Sequence, residues 1–158
     1  MQKITPFLWF DGKTEEAVKL YTSVFKDSKV HKIEYWGEGG PLPANQVMTA
    51  TFELSGQKFH AFDAGPAFKF TEAISMFVEC KDQEEVDYYW NALTAGGGQE
   101  SQCGWLKDKF GLSWQIVPKA LPDYLSGEDK AKAGRVMQAM MKMKKIIVAD
   151  LDKAAEAK

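Results

Sequence analysis

Thiols and imidazoles, which often act as nucleophiles or bases, are scarce in this 158-residue chain: it has two cysteines and two histidines. Cys80 and Cys103 are too few for a disulfide framework, their spacing matches no zinc motif, and we expect both to be reduced. The sequence places no base where it could activate the Cys103 thiol, because His31 falls on a strand predicted to face outward. The pattern favours a small buried residue at Cys103 over a nucleophile.

His60 is the candidate for acid–base chemistry, since an imidazole near neutral pH can accept, donate or transfer a proton. The alternative is a histidine whose hydrogen bonds are satisfied within the fold. Paired carboxylates at Glu15-Glu16 and Glu84-Glu85 stand at predicted helix starts, where the helix dipole explains them without catalysis.

Glycine-rich segments are the other pattern that can carry chemistry. A nucleotide-type loop places its glycines between a strand and a helix. The segment 37–40 runs into prolines, and the segment 96–98 follows a helix. Neither segment is typical of a methyl-donor or dinucleotide site.

Composition excludes several classes of partner. The formal net charge is −2, and the basic residues are spread along the chain, so we expect no nucleic-acid binding. The sequence has no apolar run of about 18 residues, and residues 1–6 contain no signal-peptide core. These features predict a cytoplasmic protein without a membrane partner.

The secondary-structure elements that must position these residues occur in the same order twice along the chain. In the first half we predict a strand over 3–10, a helix with Thr14 as its N-cap, and strands over 28–36, 47–54 and 58–63.

The second half repeats this order, with a helix opened by Asp82 and Glu85 in the spacing of a capping box. Tyr21 of the first helix falls on Trp90 of the second at an offset of 69 residues, and His60 falls on Gln115 at an offset of 55. The strands of this half are predicted over 72–80, 99–103, 105–107 and 112–118.

After this repeat we expect a short helix over 120–125 and a longer helix over 129–145. One face of the longer helix is apolar, which favours core packing, with a subunit interface as the alternative. That face carries Val136, Met137, Met140 and Met141.

The sequence thus predicts an α+β fold with two tandem βαβββ modules that form a curved, cup-like mixed sheet, followed by C-terminal helices. We expect one domain over 1–158, with module one at 3–63, module two at 72–118 and a helical appendage at 119–158.

Tandem strand–helix–three-strand units resemble the vicinal oxygen chelate superfamily, which includes glyoxalase I, extradiol dioxygenases and the bleomycin- and fosfomycin-resistance proteins. Three segments are similar to its PhnB-like branch, also called the demethylubiquinone 3-methyltransferase-type domain: 4–10 (ITPFLWF), 20–25 (LYTSVF) and 103–118, which contains WLKDKFGLSWQ. The resemblance runs from about Lys3 to Met143. It leaves the reaction open, because members isomerise, oxygenate or only bind.

Metal-using relatives hold one divalent ion with a residue on the first and last strand of each half, positions that fall here on Phe7, Met76, His60 and Gln115. Phe7 has no lone pair, the Met76 thioether is too soft for a hard ion, and the Gln115 amide is neutral. A single imidazole cannot hold Zn, Fe or Mn. The resemblance therefore implies no catalytic metal, and we expect no cofactor.

Because side chains alternate along a strand, residues two positions from these four share their faces. Together these side chains predict an aromatic cup for a small molecule. Core packing is the alternative for Trp9 and Phe62. The predicted ligand-binding residues are Phe7, Trp9, His60, Phe62, Met76, Ser113 and Gln115, with His60 as the candidate catalytic residue.

The leading hypothesis is a PhnB-like protein that binds a small organic molecule without a catalytic metal, and whether it is an enzyme stays open. The alternatives are a divalent-metal-dependent lyase or dioxygenase of the glyoxalase type, a methyltransferase, and a drug-sequestering resistance protein. Relatives often pair two chains, which predicts a homodimer.

Overall fold

Strands with alternating apolar residues build two four-stranded sheets in the computed structural model, which describes residues 1–158. By their internal contacts the residues divide into two compact units, Met1–Phe70 and Thr71–Lys158. In chain order the elements are β1 (Phe7–Phe10), α1 (Thr14–Val24), β2 (Lys29–Tyr35), β3 (Val47–Leu54), β4 (Gln57–Asp63), β5 (Met76–Cys80), α2 (Gln83–Thr94), β6 (Gln99–Glu100), β7 (Trp105–Lys107), β8 (Ser113–Pro118), α3 (Ala120–Leu125), α4 (Lys130–Met140) and α5 (Val148–Glu156).

Each unit contains its own four-stranded sheet, and the two sheets have the same strand arrangement. The strand order is β1-β4-β3-β2 in the first unit and β5-β8-β7-β6 in the second. In each, the first strand runs parallel to the last strand of its module and the other neighbours are antiparallel. This arrangement confirms the α+β fold with two βαβββ modules. The single domain and the joint cup stay predictions.

The helix faces agree with the internal repeat. Helices α1 and α2 begin at Thr14 and Gln83, which preserves the offset of 69. Tyr21 and Trp90, the residues matched by this offset, are both almost fully buried. Each helix therefore packs its large aromatic residue into the core of its own unit.

The two helices start in different ways. Asp82 caps α2 as predicted: its Oδ1 accepts a hydrogen bond from the Glu85 N–H at 2.9 Å. The predicted N-cap Thr14 is wrong, because Thr14 is the first helical residue and Lys13 precedes it without a side-chain cap. The N–H and hydroxyl of Thr14 instead donate to Asp63 Oδ1, at 3.0 and 2.8 Å.

The first strand of each module is shorter than predicted. β1 begins at Phe7 and β5 at Met76, whereas the sequence suggested 3 and 72. Residues 71–75 form a turn outside the ladder. Two of its side chains bond to the sheet: Glu72 forms an ion pair with Lys107 of β7, and Ser75 Oγ accepts from Gln115 Nε2 of β8.

The C-terminal helices differ from prediction after α3. The long helix expected to 145 ends at Met140, and α5 was not predicted at all. The intervening chain leaves the helical path because the Gln83 amide binds it: Nε2 donates to the Ile146 carbonyl at 3.1 Å and Oε1 accepts from the Val148 N–H at 2.7 Å.

The predicted apolar face of α4 is divided between core and solvent. Val136 is fully buried, and Met140 packs with it against α3 and α5. Met137 and Met141 are exposed, so they do not pack in the core of this chain, and the subunit interface stays a prediction. The helix turns by about 100° per residue, and only the inner pair spaced by four reaches the core.

The two cysteines should differ sharply in reactivity. Cys80 is completely buried, and this burial raises the pKa of its thiol to about 12. Cys103, predicted to be buried, is partly exposed, with φ +59° beside Gly104. We expect iodoacetamide at about pH 8 to alkylate Cys103 in the folded protein and to leave Cys80 unmodified, since only the thiolate reacts.

Peptide mass spectrometry measures both sites, and labelling in urea shows that each peptide is detectable. Equal rates at Cys80 and Cys103 in the folded protein would contradict the burial of Cys80.

Candidate functional site

Four of the predicted site residues lie together on one face of the first sheet. In the parallel ladder of β1 and β4, Phe7 is opposite His60 and Trp9 is opposite Phe62. Opposed residues share a sheet face, and the alternate residues Leu8 and Phe10 are buried on the other face, where α1 packs. We call the surface formed by Phe7, Trp9, His60 and Phe62 the first open face.

Aromatic rings on the first open face meet edge to face. The Phe62 ring centroid lies 4.9 Å from that of Phe7 and 5.1 Å from that of Trp9, both with nearly perpendicular planes. Phe68, from the loop after β4, extends this row at 4.9 Å from Trp9. Phe7 and Phe68 are 56% and 67% exposed, so large ring surfaces remain available.

Trp9 is held in place by its indole, whose Nε1 donates to the Gly65 carbonyl at 2.9 Å. This bond orients the ring toward the loop that carries Phe68. Sequence reasoning did not include Phe68, because no strand alternation extends into that loop. The signal available in the sequence was an aromatic residue three positions after Gly65.

His60 is positioned at both its backbone and its ring. Its N–H donates to the Pro6 carbonyl, and Nδ1 lies 2.9 Å from Thr51 Oγ1 on the neighbouring strand β3. The other ring nitrogen, Nε2, has no protein hydrogen-bond partner. Thr51 was not predicted, although the hairpin register across Ser55-Gly56 places it opposite His60.

The Thr51 bond determines what Nε2 can offer. If the Thr51 hydroxyl donates to Nδ1, Nε2 carries the proton and is a donor; if Nδ1 donates to Thr51, Nε2 is an acceptor and a base. In both states the ring is oriented by Thr51, and the centroid of the His60 ring lies 5.7 Å from that of the Phe7 ring.

In the second unit, the ladder corrects one predicted position. Gln115 lies opposite Phe77, and Met76 lies opposite Trp114 on the other face of the sheet. The two helices match at an offset of 69 residues, but Phe77, the partner of Gln115, matches Phe7 at an offset of 70. A shift of one residue along a strand moves a side chain to the opposite face of the sheet. Phe77 is 57% exposed, nearly the value for Phe7.

Gln115 already has a protein partner, because its Nε2 donates to Ser75 Oγ at 2.9 Å. Ser113 lies on the same face, is 1% exposed, and its hydroxyl has no hydrogen-bond partner. Ser113 also borders a cleft of about 150 Å³ within this unit. Lys107 borders it too, and its ammonium group lowers the pKa of the Glu72 carboxyl by hydrogen bonding.

The residues present do not fit a divalent metal of the kind used by relatives. Structurally matched positions hold Phe7, His60, Phe77 and Gln115, and the two phenylalanines have no donor atom. No group of three or more His, Cys, Asp or Glu side chains is arranged to hold a metal ion. That the protein works without metal stays a prediction.

Comparisons with known proteins agree with this architecture. The family model described as 3-demethylubiquinone-9 3-methyltransferase matches residues 2–117. The chain is 40% identical to the PhnB protein of Bacillus cereus, whose description gives the same methyltransferase name. That match covers 74% of this chain and 99% of the other, with a TM-score of 0.70. A comparison with curated proteins gave no match.

More distant structures show the fold alone. A protein from Pseudomonas aeruginosa is 22% identical over 75% of this chain and 98% of its own, with a TM-score of 0.63. The fosfomycin resistance protein FosX from Listeria monocytogenes is 12% identical over 80% and 98%, with a TM-score of 0.57. No helix has both the length and the apolar character needed to cross a membrane.

The family match over residues 2–117, the 40% identity to the PhnB protein and the twofold βαβββ order lead to one assignment. The chain belongs to the PhnB-like family described as 3-demethylubiquinone-9 3-methyltransferase, within the vicinal oxygen chelate superfamily.

Proposed function

We propose that this protein binds a small organic molecule on the first open face, with His60 as its polar anchor and without a catalytic metal. The observation that carries the proposal is the pairing of an unpartnered His60 Nε2 with the exposed ring of Phe7 beside it. Aromatic walls with few polar groups are the usual composition of small-molecule sites.

The chemistry of this face favours a ligand with a flat apolar body and one hydroxyl or carbonyl group. The rings of Phe7 and Phe68 offer edges and faces to the body of the ligand. Nε2 donates to a carbonyl or accepts from a hydroxyl, according to the state set with Thr51. As a base, Nε2 would remove the proton of that hydroxyl, which is the chemistry to seek if the protein is an enzyme.

The proposal also includes a homodimer in the cytoplasm. β1 is an edge strand of the first sheet and β5 of the second, and unpaired edges favour association with a second chain. Sedimentation velocity distinguishes a dimer from a monomer of 17.7 kDa.

Binding to the first open face can be tested with p-cresol, which combines a flat ring and one hydroxyl. In protein labelled with 15N-histidine, we expect the probe to shift the NMR signal of His60 Nε2. Phe7→Ala should weaken binding about tenfold, since a ring contact and its buried area are worth about 1–2 kcal/mol. His60→Gln should weaken it several-fold.

His31→Gln is the matched control, because His31 pairs with Glu53 on β2 and β3 and is not part of the face. Equal affinity of the wild type and Phe7→Ala, or shifts at His31 alone, would overturn the proposal. Parallel titrations with S-adenosylmethionine and Mn²⁺ test the methyltransferase and metal-dependent alternatives, and tight binding of either would replace the present proposal.

A further inference from the structure

A cleft in the second unit has features that the proposed function does not use. It measures about 150 Å³ and lies beside strands β6, β7 and β8. The residues that line it include Glu72, Glu100, Trp105, Lys107 and Ser113. All of these belong to the unit Thr71–Lys158, so the cleft is complete within that unit.

Two hydrogen-bond donors lie on neighbouring strands at this cleft. Lys107 and Ser113 are directly opposed in the antiparallel ladder of β7 and β8, which puts both side chains on one face. The Ser113 hydroxyl is buried and unpartnered, an arrangement that native proteins avoid unless a ligand or water satisfies the group. Lys107 is the only cation among the residues that line the cleft.

The contact with Glu72 shows that Lys107 can bind a carboxylate. The Glu72 carboxylate forms an ion pair with the Lys107 ammonium group. Glu72 lies in the turn 71–75, and its side chain is 61% exposed, so it can leave without disturbing a strand. The carboxylate of an exposed side chain thus occupies the position that a ligand carboxylate would take.

The size of the cleft limits the ligand. Drug-sized molecules need pockets of roughly 300–1,000 Å³, well above the volume present here. The Trp105 indole forms an apolar wall beside the two donors, so the carbon part of a small acid has a surface to contact. Glu100 also borders the cleft, and its carboxylate is held by the indole of Trp90, whose Nε1 donates to Oε1 at 2.8 Å.

We infer that this cleft is a second binding site, for a small monocarboxylate held by Lys107 and Ser113, and that Glu72 is its internal competitor. Binding requires the ligand carboxylate to replace that of Glu72 at the Lys107 ammonium group and to accept a hydrogen bond from the Ser113 hydroxyl. None of the residues that line this cleft belongs to the first open face.

Propionate is a suitable probe, and propionamide is its neutral counterpart of nearly the same shape. Titrations followed by 1H–15N NMR at constant ionic strength, with the Trp105 indole as reporter, should show millimolar binding of propionate and none of propionamide. Glu72→Gln should tighten propionate binding about tenfold, because it removes the competing charge. Lys107→Met should abolish it, and Ser113→Ala should weaken it about tenfold.

Lys119→Met is the matched control, since it removes one lysine that pairs only with Asp123 on the exposed surface of α3. It should leave the affinity unchanged. Equal binding of propionamide, or an unchanged affinity in Glu72→Gln, would overturn the inference. The Glu72→Gln result decides it even if Lys107→Met fails to fold, and neither result depends on the p-cresol experiment.

Discussion

Replacement of Asp63 by alanine is expected to lower the free energy of unfolding by about 3–5 kcal/mol, the range for leaving several buried donors without an acceptor. Asp63 is 2% exposed at the end of β4. Its Oδ1 accepts from the N–H and hydroxyl of Thr14, and its Oδ2 accepts from the Val47 N–H at 2.9 Å. One carboxylate therefore joins the start of α1, the start of β3 and the end of β4.

The loss should be large because alanine leaves these donors buried without water. Domains of this size have a total stability of about 5–15 kcal/mol, so much of it depends on this single side chain. Chemical denaturation in urea, followed by circular dichroism, measures the change from the transition midpoint and slope.

Graded variants separate the contributions of the Asp63 contacts. Thr14→Val removes only the hydroxyl donor and should lower stability by about 1 kcal/mol, the typical value for one hydrogen bond. Asp11→Ala is the matched control, because Asp11 is exposed in the turn after β1. If Asp63→Ala were no more destabilising than Asp11→Ala, the buried carboxylate would not organise this unit.

Asp108→Ala is expected to lower stability by about 2–4 kcal/mol, since it removes the acceptor of three N–H groups, two of them buried. Asp108 is 3% exposed in the turn between β7 and β8. Its Oδ1 accepts from the N–H groups of Phe110 and Leu112 at 2.9 and 3.1 Å, and its Oδ2 accepts from Trp114 Nε1 at 2.9 Å.

This carboxylate both closes the turn and fixes the Trp114 ring beneath β8. Its loss should therefore speed hydrogen exchange of the Trp114 indole N–H, which NMR detects directly. Asp123→Ala is the control, because Asp123 is exposed and its ion pair with Lys119 spans 4.0 Å. Unchanged exchange at Trp114 in Asp108→Ala would show that the ring is held by packing alone.

Much of the fold could be predicted because strands and helices leave periodic patterns in the sequence. The match of Tyr21 to Trp90 at an offset of 69 predicted two equivalent helices, and the structure confirms them. The Ser55-Gly56 turn, with both residues at positive φ, was readable from composition, and so was the Asp82 cap. Short α3 was also predicted with its observed bounds.

Predictions failed where a distant side chain replaced a local one. Thr14 has the side chain of an N-cap, but the Asp63 carboxylate, 49 residues away, binds the start of α1 instead. The helix predicted to 145 ends at Met140 because Gln83 and the 103–104 backbone bind the chain that follows. Helix periodicity contains no information about such partners.

The candidate site also has one part that the sequence predicted and another that depends on the tertiary structure. Strand alternation determined that Phe7 and Trp9 share one face of β1 and that His60 and Phe62 share one face of β4, because period two is a local property of extended chain. The register of β1 against β4 in the tertiary structure then placed both pairs on the same face of the sheet. Only the tertiary structure placed Thr51 at His60 Nδ1, Phe68 against Trp9, and Phe77 instead of Met76 opposite Gln115. Those relations depend on strand register and loop path, which are set by packing across the whole unit.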